Sequence, residues 1–479
     1  MPETIHLSRW IFDLSIILYF GIIIAAVVVV LRENRNPIRA LSWVIALIFL
    51  PGIGLVFYLF FGRSLRGEMM NQKNKRRLLK GRKVLAPKLK DINIPKESKH
   101  LISLGIKLSG FPYTEKNEIE IFTDGETKFE RLKEDLKAAQ KSILLQYYIF
   151  LDDKIGNEIA EILIEKARAG LEVKVIYDHV GSFRAKNSFF KKMMNAGVEL
   201  HPFFRVNFPQ FANRINWRNH RKLVIIDKET GYIGGMNIAD RYAYGSEKDK
   251  TVWRDTHFRI KGQIIESLIY SFAIDWNFRK KEQYIPEVED INVSDNFNTG
   301  IQLTTGGPVS TWHNLSLMFL KAISSAKRII WIQTPYFLPT DALLNALQAA
   351  ALADIDVRIM MPEHTDSVLL HYASFSYITQ CLESGIKVFL YKKGMLHAKA
   401  MIIDDNIVTA GSTNFDFRSF ENNFECNLFI YDPVVNRKMR EIFYKDMESC
   451  VKLKREEWKK RPITHRFMES LLRLVSPIL

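Results

Sequence analysis

Cysteine is scarce in this chain: Cys381, Cys426 and Cys450 are an odd, scattered set among 479 residues. Their spacing excludes a disulfide framework and a thiolate metal site. It fits a reducing compartment, with the three thiols as ordinary buried side chains. No GxxxxGK(S/T) loop occurs, so nothing indicates the use of ATP. Metal-ligand spacing is also missing, and neither a metal nor a cofactor is expected. Acidic residues are in deficit, 53 against 68 Lys and Arg, for a net charge of +15. Charge is absent from Ala40 to Phe61, and Asp13 is the one charged residue between Ile11 and Leu31.

What is present is the composition of a folded protein of two or three domains, 47% hydrophobic and 25% charged. The basic excess is local. Between Gly62 and Lys99 stand 13 Lys or Arg and 3 Asp or Glu. A nucleic-acid enzyme more often spreads its cations around the site, so a nucleic-acid partner is not expected. A basic block beside an apolar stretch suggests anionic lipid headgroups; a plain solvated linker is the other reading. The two apolar segments, of 21 and 22 residues, are each long enough to cross a bilayer as a helix and read together as a transmembrane hairpin. They are too long and too closely followed by one another for a cleaved signal peptide. Pro51, Gly52 and Gly54 interrupt the second, which leaves a kinked or re-entrant path open. The positive block after Phe61 outweighs the basic loop (Arg32, Arg35, Arg39) and places the C-terminal bulk in the cytoplasm.

From about Glu118 the pattern becomes α/β, twice over. An apolar run (141–150), a helical stretch ending in glycine (156–170) and a buried strand (171–178) recur as 327–337, 341–352 and 355–362. Strand, helix, strand alternation implies parallel sheets with helices on their faces. Gln146 and Gln333 hold equivalent places, 187 residues apart, whereas the later motifs are 177 apart. The first half therefore carries about 11 extra residues before His220, within FFRVNFPQFANRINWR. That stretch interleaves aromatic and basic side chains, as a membrane-dipping loop or as an ordinary loop packed on the core. The C-terminal stretch puts Phe467, Leu471, Leu474 and Val475 on one helical face, to pack on the domain or lie on the bilayer.

One short pattern occurs twice: His220, Lys222 and Asp227 in HRKLVIID, and His397, Lys399 and Asp404 in HAKAMIID. Seven residues past each Asp begins a small-residue turn ending in Asn, GGMN at Asn237 and GSTN at Asn414. Such a duplication reads as two catalytic half-sites. On an extended segment His and Lys two apart share a face, and the Asp does not. Two halves joined by pseudo-symmetry then offer two imidazoles, two ammoniums and two amides around one centre. A phosphodiester matches that set. Fixed cationic and amide donors neutralise its non-bridging oxygens, each worth about 3 kcal/mol. One histidine attacks phosphorus; the other protonates the leaving alkoxide and deprotonates the incoming alcohol.

The paired HxKx4D motifs, with their downstream glycine turn and Asn, resemble the phospholipase D superfamily over about 112–460. With the N-terminal hydrophobic hairpin, the whole chain resembles the bacterial cardiolipin synthases. The resemblance implies two pseudo-symmetric α/β halves sharing one active site behind a membrane hairpin. It divides the chain into hairpin (1–66), basic juxtamembrane linker (67–111), first half (112–295) and second half with its tail (296–479). It implies an enzyme of the bacterial cell membrane, multi-pass, with the catalytic region on the cytoplasmic side. The implied reaction joins two phosphatidylglycerol molecules and releases glycerol. His220 would be the nucleophile and His397 the acid and base. A carboxylate past the motif Asn orients the imidazole in the family. Glu425, 11 residues past Asn414, matches that place, and Asp255, 18 past Asn237, would be the counterpart for His220. Asp227 and Asp404 would hold site geometry. Gly235 stands where the second half has Ser412, so the site is not perfectly symmetric. A lipid hydrolase or another phosphatidyltransferase shares all of these residues and stays open. A nuclease is disfavoured by the two hydrophobic segments, and a decayed scaffold by two intact motifs.

Overall fold

A computed structural model of the chain describes residues 2–32, 37–50, 52–58, 78–79, 92, 94–206, 216–245, 251–278, 284–287, 291 and 293–476. They form two compact units, Met1–Gly67 with Val206–Asn216, and the remainder.

In the first unit the apolar run from Phe12 to Leu31 lies in a helix, Pro2–Arg32, that is long and apolar enough to cross a bilayer. It packs through Ile23, Ala26 and Val30 on Leu47 and Tyr58. Most other large side chains, Phe12, Ile17, Leu18 and Ile24 among them, face outward. Only an apolar solvent covers such a surface favourably. The second segment departs from the two-span expectation. It is a 13-residue helix, Pro37–Phe49, followed by a separate turn of helix, Ile53–Phe57. Gly52 has a φ of +76°, and a Cβ on Gly54 would stand 2.3 Å from the carbonyl oxygen of Ala46. The chain thus bends sharply where glycine permits it, and among the described residues one helix, not two, has spanning length.

The second unit holds two large sheets that repeat one plan, of nine and seven strands among the described residues, beside a small two-stranded pair. In the first, Ser142–Tyr147 pairs parallel with Glu172–Asp178 on one side and antiparallel with Leu223–Ile226 on the other. In the second, Ile329–Gln333 stands between Asp356–Pro362 and Ala400–Ile403 in the same senses. These strands are buried on both faces, which is why they read as continuous apolar runs rather than alternating ones. The helical stretch read at 156–170 is helix Lys154–Arg168, capped by Asp153, whose carboxylate accepts from the Gly156 N–H. Each sheet lies against a long, later helix, Ile264–Trp276 or Pro433–Met447.

Part of the stretch read as linker packs on the second half. Lys96–Ser109 is a helix whose Leu101 and Ile102 enter the core of the second half. Tyr113–Thr114 pairs with Ile301–Gly306, again in the second sheet. The basic residues around this helix disguise a small and apolar face at Ser98, Leu101, Ile102 and Gly105. Of the aromatic and basic insert, 207–215 lie outside the described residues. Its flanks do not dip outward: Phe203, Phe204 and Trp217 are buried, and Arg218 pairs with buried Asp178. The tail helix Ile463–Val475 packs on the domain by one residue and leaves an apolar row outside. Leu472 joins the core, while Phe467, Leu471 and Leu474 stay exposed.

Candidate active site

Both motif histidines and lysines fall on extended segments that run into buried strands, Leu223–Ile226 and Ala400–Ile403. Alternation then turns each His and Lys to the same side. Each ammonium folds back onto its own motif: Lys222 Nζ donates to the His220 carbonyl and Lys399 Nζ to that of His397, both at 2.5 Å. All four side chains are almost wholly buried.

The two segments are sewn to opposite halves. The His220 N–H donates to the Phe424 carbonyl (2.9 Å), and the Phe424 N–H returns a bond to Arg218 (2.8 Å). The His397 N–H donates to the Arg254 carbonyl (2.7 Å), and the Arg254 N–H to Met395 (3.0 Å). Each histidine is therefore carried next to the other half's carboxylate. His220 Nδ1 lies 3.0 and 3.1 Å from the two oxygens of Glu425 and 3.0 Å from the Ser412 carbonyl. His397 Nδ1 lies 2.6 Å from Asp255 Oδ2. This corrects the pairing read from sequence, in which Glu425 served its own half and Asp255 served His220. The family resemblance points to both carboxylates, but the short cross-half ladders exchange them.

Burial governs the electrostatics. It pushes the His220 and His397 imidazoles below their ordinary range, with the nearby lysines adding to the effect, so both rings are neutral at rest. A proton on His220 would disfavour one on His397, so the rings share one electrostatic neighbourhood. Burial lowers Lys222 to about 7 and Lys399 to about 8, against the opposing pull of Glu425 and Asp255. Asp255 is raised by burial to about 6. Burial also acts on Glu425, but His220, Lys222 and the Ser412 hydroxyl outweigh it and hold that carboxyl below its usual range. His220 accounts for the largest part of the lowering at Glu425, and a hydroxyl on one side adds to the difference. Ser412 Oγ donates to Glu425 and accepts from the Cys426 N–H. Opposite it, Gly235 presses against Asp255 so closely that a Cβ would sit 2.1 Å from Oδ1. No hydroxyl fits there.

The remaining expected residues divide. Asp227 and Asp404 stand in turns at positive φ, +53° and +48°, beyond the strands that follow the histidines. Their carboxylates accept the N–H groups of Gln140, Lys141 and Ser142, and of Lys327, Arg328 and Ile329. They anchor the starts of the neighbouring strands and do not face the histidines. Asn237 accepts from the Ile149 N–H and donates to the Tyr242 hydroxyl, which lies 3.4 Å from His397 Nδ1. Asn414 donates to Asp416, and its Oδ1 is buried with no partner among the described residues. Both amides are thus bound into the wall of the site.

Sequence reasoning missed several wall residues. Tyr148 packs edge-on against His220 (4.8 Å between centroids), and Trp253 lies 5.1 Å from His397. Gln146 donates to Asp275 at 2.6 Å and Gln333 to Asp446 at 2.7 Å; Arg221 and Arg254 pair with those two carboxylates at 2.7 and 2.6 Å. The equal placing of the two glutamines was the available signal. The three thiols are buried or half-buried, and burial pushes each up to about 12, which keeps them out of the chemistry.

Residues 132–273 and 319–447 match the family described as “Cardiolipin synthase, PLD-like domain”, and 21–63 match “Phospholipase_D-nuclease N-terminal”. The chain is 38% identical over 469 residues to the major cardiolipin synthase ClsA of Bacillus subtilis, covering 95% of this chain and 97% of that one. It is 39% identical over 459 residues to cardiolipin synthase 2 of Bacillus anthracis, covering 94% and 89%. The chain belongs to the cardiolipin synthase family. Within the wider phospholipase D-like fold, the solved phosphatidylserine synthase of Haemophilus influenzae superposes with a TM-score of 0.60 at 15% identity, over 79% of this chain and all of that one. In this member of the cardiolipin synthase family, the crossed histidine–carboxylate pairs occupy the junction of the two matched segments.

Proposed function

We propose that the chain transfers a phosphatidyl group from one phosphatidylglycerol to the headgroup hydroxyl of another, giving cardiolipin and glycerol. The observation that carries this reading is the crossed arrangement of two neutral imidazoles, each held by the opposite half's carboxylate, over two buried ammoniums.

Glu425 fixes the Nδ1–H tautomer of His220 and leaves the Nε2 lone pair as the nucleophile. Because Glu425 stays firmly ionised, that ring is the more electron-rich of the two, which favours His220 over His397 for attack. Nε2 attacks phosphorus, the bond to the glycerol oxygen breaks, and His397 supplies the proton to the leaving alkoxide. His397 takes up that proton from water when the phosphodiester anion binds and counters the lysine charges that keep the ring neutral. Lys222 and Lys399 balance the charge that gathers on the non-bridging oxygens. In the second step the acceptor hydroxyl gives its proton to His397, its oxygen bonds to phosphorus, and the phosphorus–His220 bond breaks. One phosphodiester replaces another, so no outside energy source is needed.

The long apolar helix Pro2–Arg32, the basic segment after the second apolar stretch and the exposed apolar row Phe467, Leu471 and Leu474 support an enzyme of the bacterial cell membrane with its catalytic unit on the cytoplasmic face. Incubating the detergent-solubilised protein with phosphatidylglycerol alone tests the reaction. Cardiolipin plus equimolar glycerol is expected; phosphatidic acid as the main product would instead establish a hydrolase.

A further inference from the structure

The duplicated motif extends one step further than the catalytic residues. Four residues past each motif Asn stands an arginine, Arg241 in GGMNIADR and Arg418 in GSTNFDFR. Arg241 belongs to the His397 side. Its guanidinium stacks on Trp253 at 4.6 Å, and Trp253 in turn lies 5.1 Å from the His397 ring. The Nε of Arg241 is buried without a hydrogen-bond partner among the described residues. A desolvated, unsatisfied guanidinium N–H is costly unless a ligand completes it. Its charge already reaches the His397 imidazole.

We propose that Arg241 binds the phosphodiester of the acceptor lipid, the one that passes through the reaction unbroken. This deepens the transfer reading and rests on it. In both steps the oxygen handled by His397 lies opposite His220: first the leaving glycerol oxygen, then the entering hydroxyl. An acceptor phosphatidylglycerol presents that hydroxyl at one end of its headgroup glycerol. Its own phosphate anion sits at the other end, three carbons beyond His397. A cation is needed there, and a guanidinium fork matches two non-bridging oxygens in a way that an ammonium does not. Water and free glycerol offer no such anion. A site built to pair a buried donor discriminates strongly against acceptors that leave it unpaired. Arg241 is thereby a determinant of synthesis over hydrolysis.

The test uses the full-length protein in detergent with labelled phosphatidylglycerol as donor. Two soluble acceptors compete at equal concentration: glycerophosphoglycerol, which carries the phosphodiester, and deuterated glycerol, which does not. The readout is the ratio of the two transfer products, which depends on the second step and not on total activity. Wild type is expected to favour glycerophosphoglycerol at least tenfold, and Arg241→Gln to lose that preference. Wild-type transfer without preference, or the same preference in Arg241→Gln, overturns the inference alone. If Arg241→Gln makes neither product, Arg241→Lys decides: a reduced preference supports the inference, and an unchanged one overturns it. No transfer to any alcohol by wild type removes the transfer reading and the inference together.

Discussion

At the scale of the residue, the crossing of carboxylates sets what each substitution does. Under the proposed mechanism, Glu425→Gln keeps the shape beside His220 and removes the charge that would make its Nε2 a strong nucleophile. It is expected to slow formation of the phosphatidyl-enzyme by about 10²–10⁴-fold. Asp255→Asn acts on the other ring and is expected to slow turnover while the covalent adduct on His220 accumulates, as acid-quenched, mass-resolved peptides would reveal. If the adduct instead appears on His397, the two roles are reversed. The pH profile follows from the same burial. His220 is depressed below 6.5, so the nucleophile is lost only as pH falls below that value. Lys222 and Lys399 lose their charge as pH rises through about 7 and about 8. Accordingly kcat/KM, which reports the free enzyme, is expected to peak near neutrality and fall on the alkaline side. The alkaline limb of kcat should lie higher, because a bound phosphate anion holds the lysines protonated. Coincident alkaline limbs would show that the lysines are not phosphate contacts. With two ammoniums in the place a metal would take, chelation by EDTA is expected to leave activity unchanged in a product-formation assay.

At the scale of the element, the third member of each motif belongs to folding. Asp227 closes a turn in the left-handed region and accepts three backbone N–H groups that start Ser142–Tyr147. Asp227→Ala leaves those donors without their charged acceptor and is expected to cost about 2–3 kcal/mol. The fall should appear in thermal unfolding, with activity per folded molecule largely retained; a stable but inactive variant would return this aspartate to the chemistry. The same turn explains why the motif reads so clearly in sequence. His, Lys and Asp are fixed to one extended segment, one strand and one turn, all local structure. The second hydrophobic segment shows the opposite case. Its composition reads as spanning, but Gly52 and the close contact at Gly54 bend it. Helix Lys96–Ser109 was hidden for a related reason, since basic residues on its exposed face mask the few apolar positions that reach the second core.

At the scale of the whole molecule, one chain supplies both members of each pair. His220 and Asp255 come from the first half, and Glu425 and His397 from the second, within one compact unit. Separately purified His220→Ala and His397→Ala chains are therefore expected to stay inactive when mixed, by cardiolipin assay in shared micelles. Restoration to a substantial fraction of wild-type activity would mean that halves are shared between copies. The duplication also accounts for the buried polar frame behind the site. Gln146 with Asp275, and Gln333 with Asp446, repeat at matching places and leave the two arginines to bridge the sheets.

The sequence by itself determined the two α/β halves, the paired histidines and lysines and the long apolar helix. Each of these is written in local periodicity or in a spacing of a few residues. The family resemblance, carried by those motifs, pointed to both carboxylates. Which histidine each one serves was decided by tertiary structure alone. That choice depends on hydrogen bonds between segments about two hundred residues apart in one pair and about 140 in the other, formed only when the two sheets meet. The neutrality of the imidazoles and the lowered lysines belong to the same class, because burial is a property of the assembled site and not of any stretch of chain.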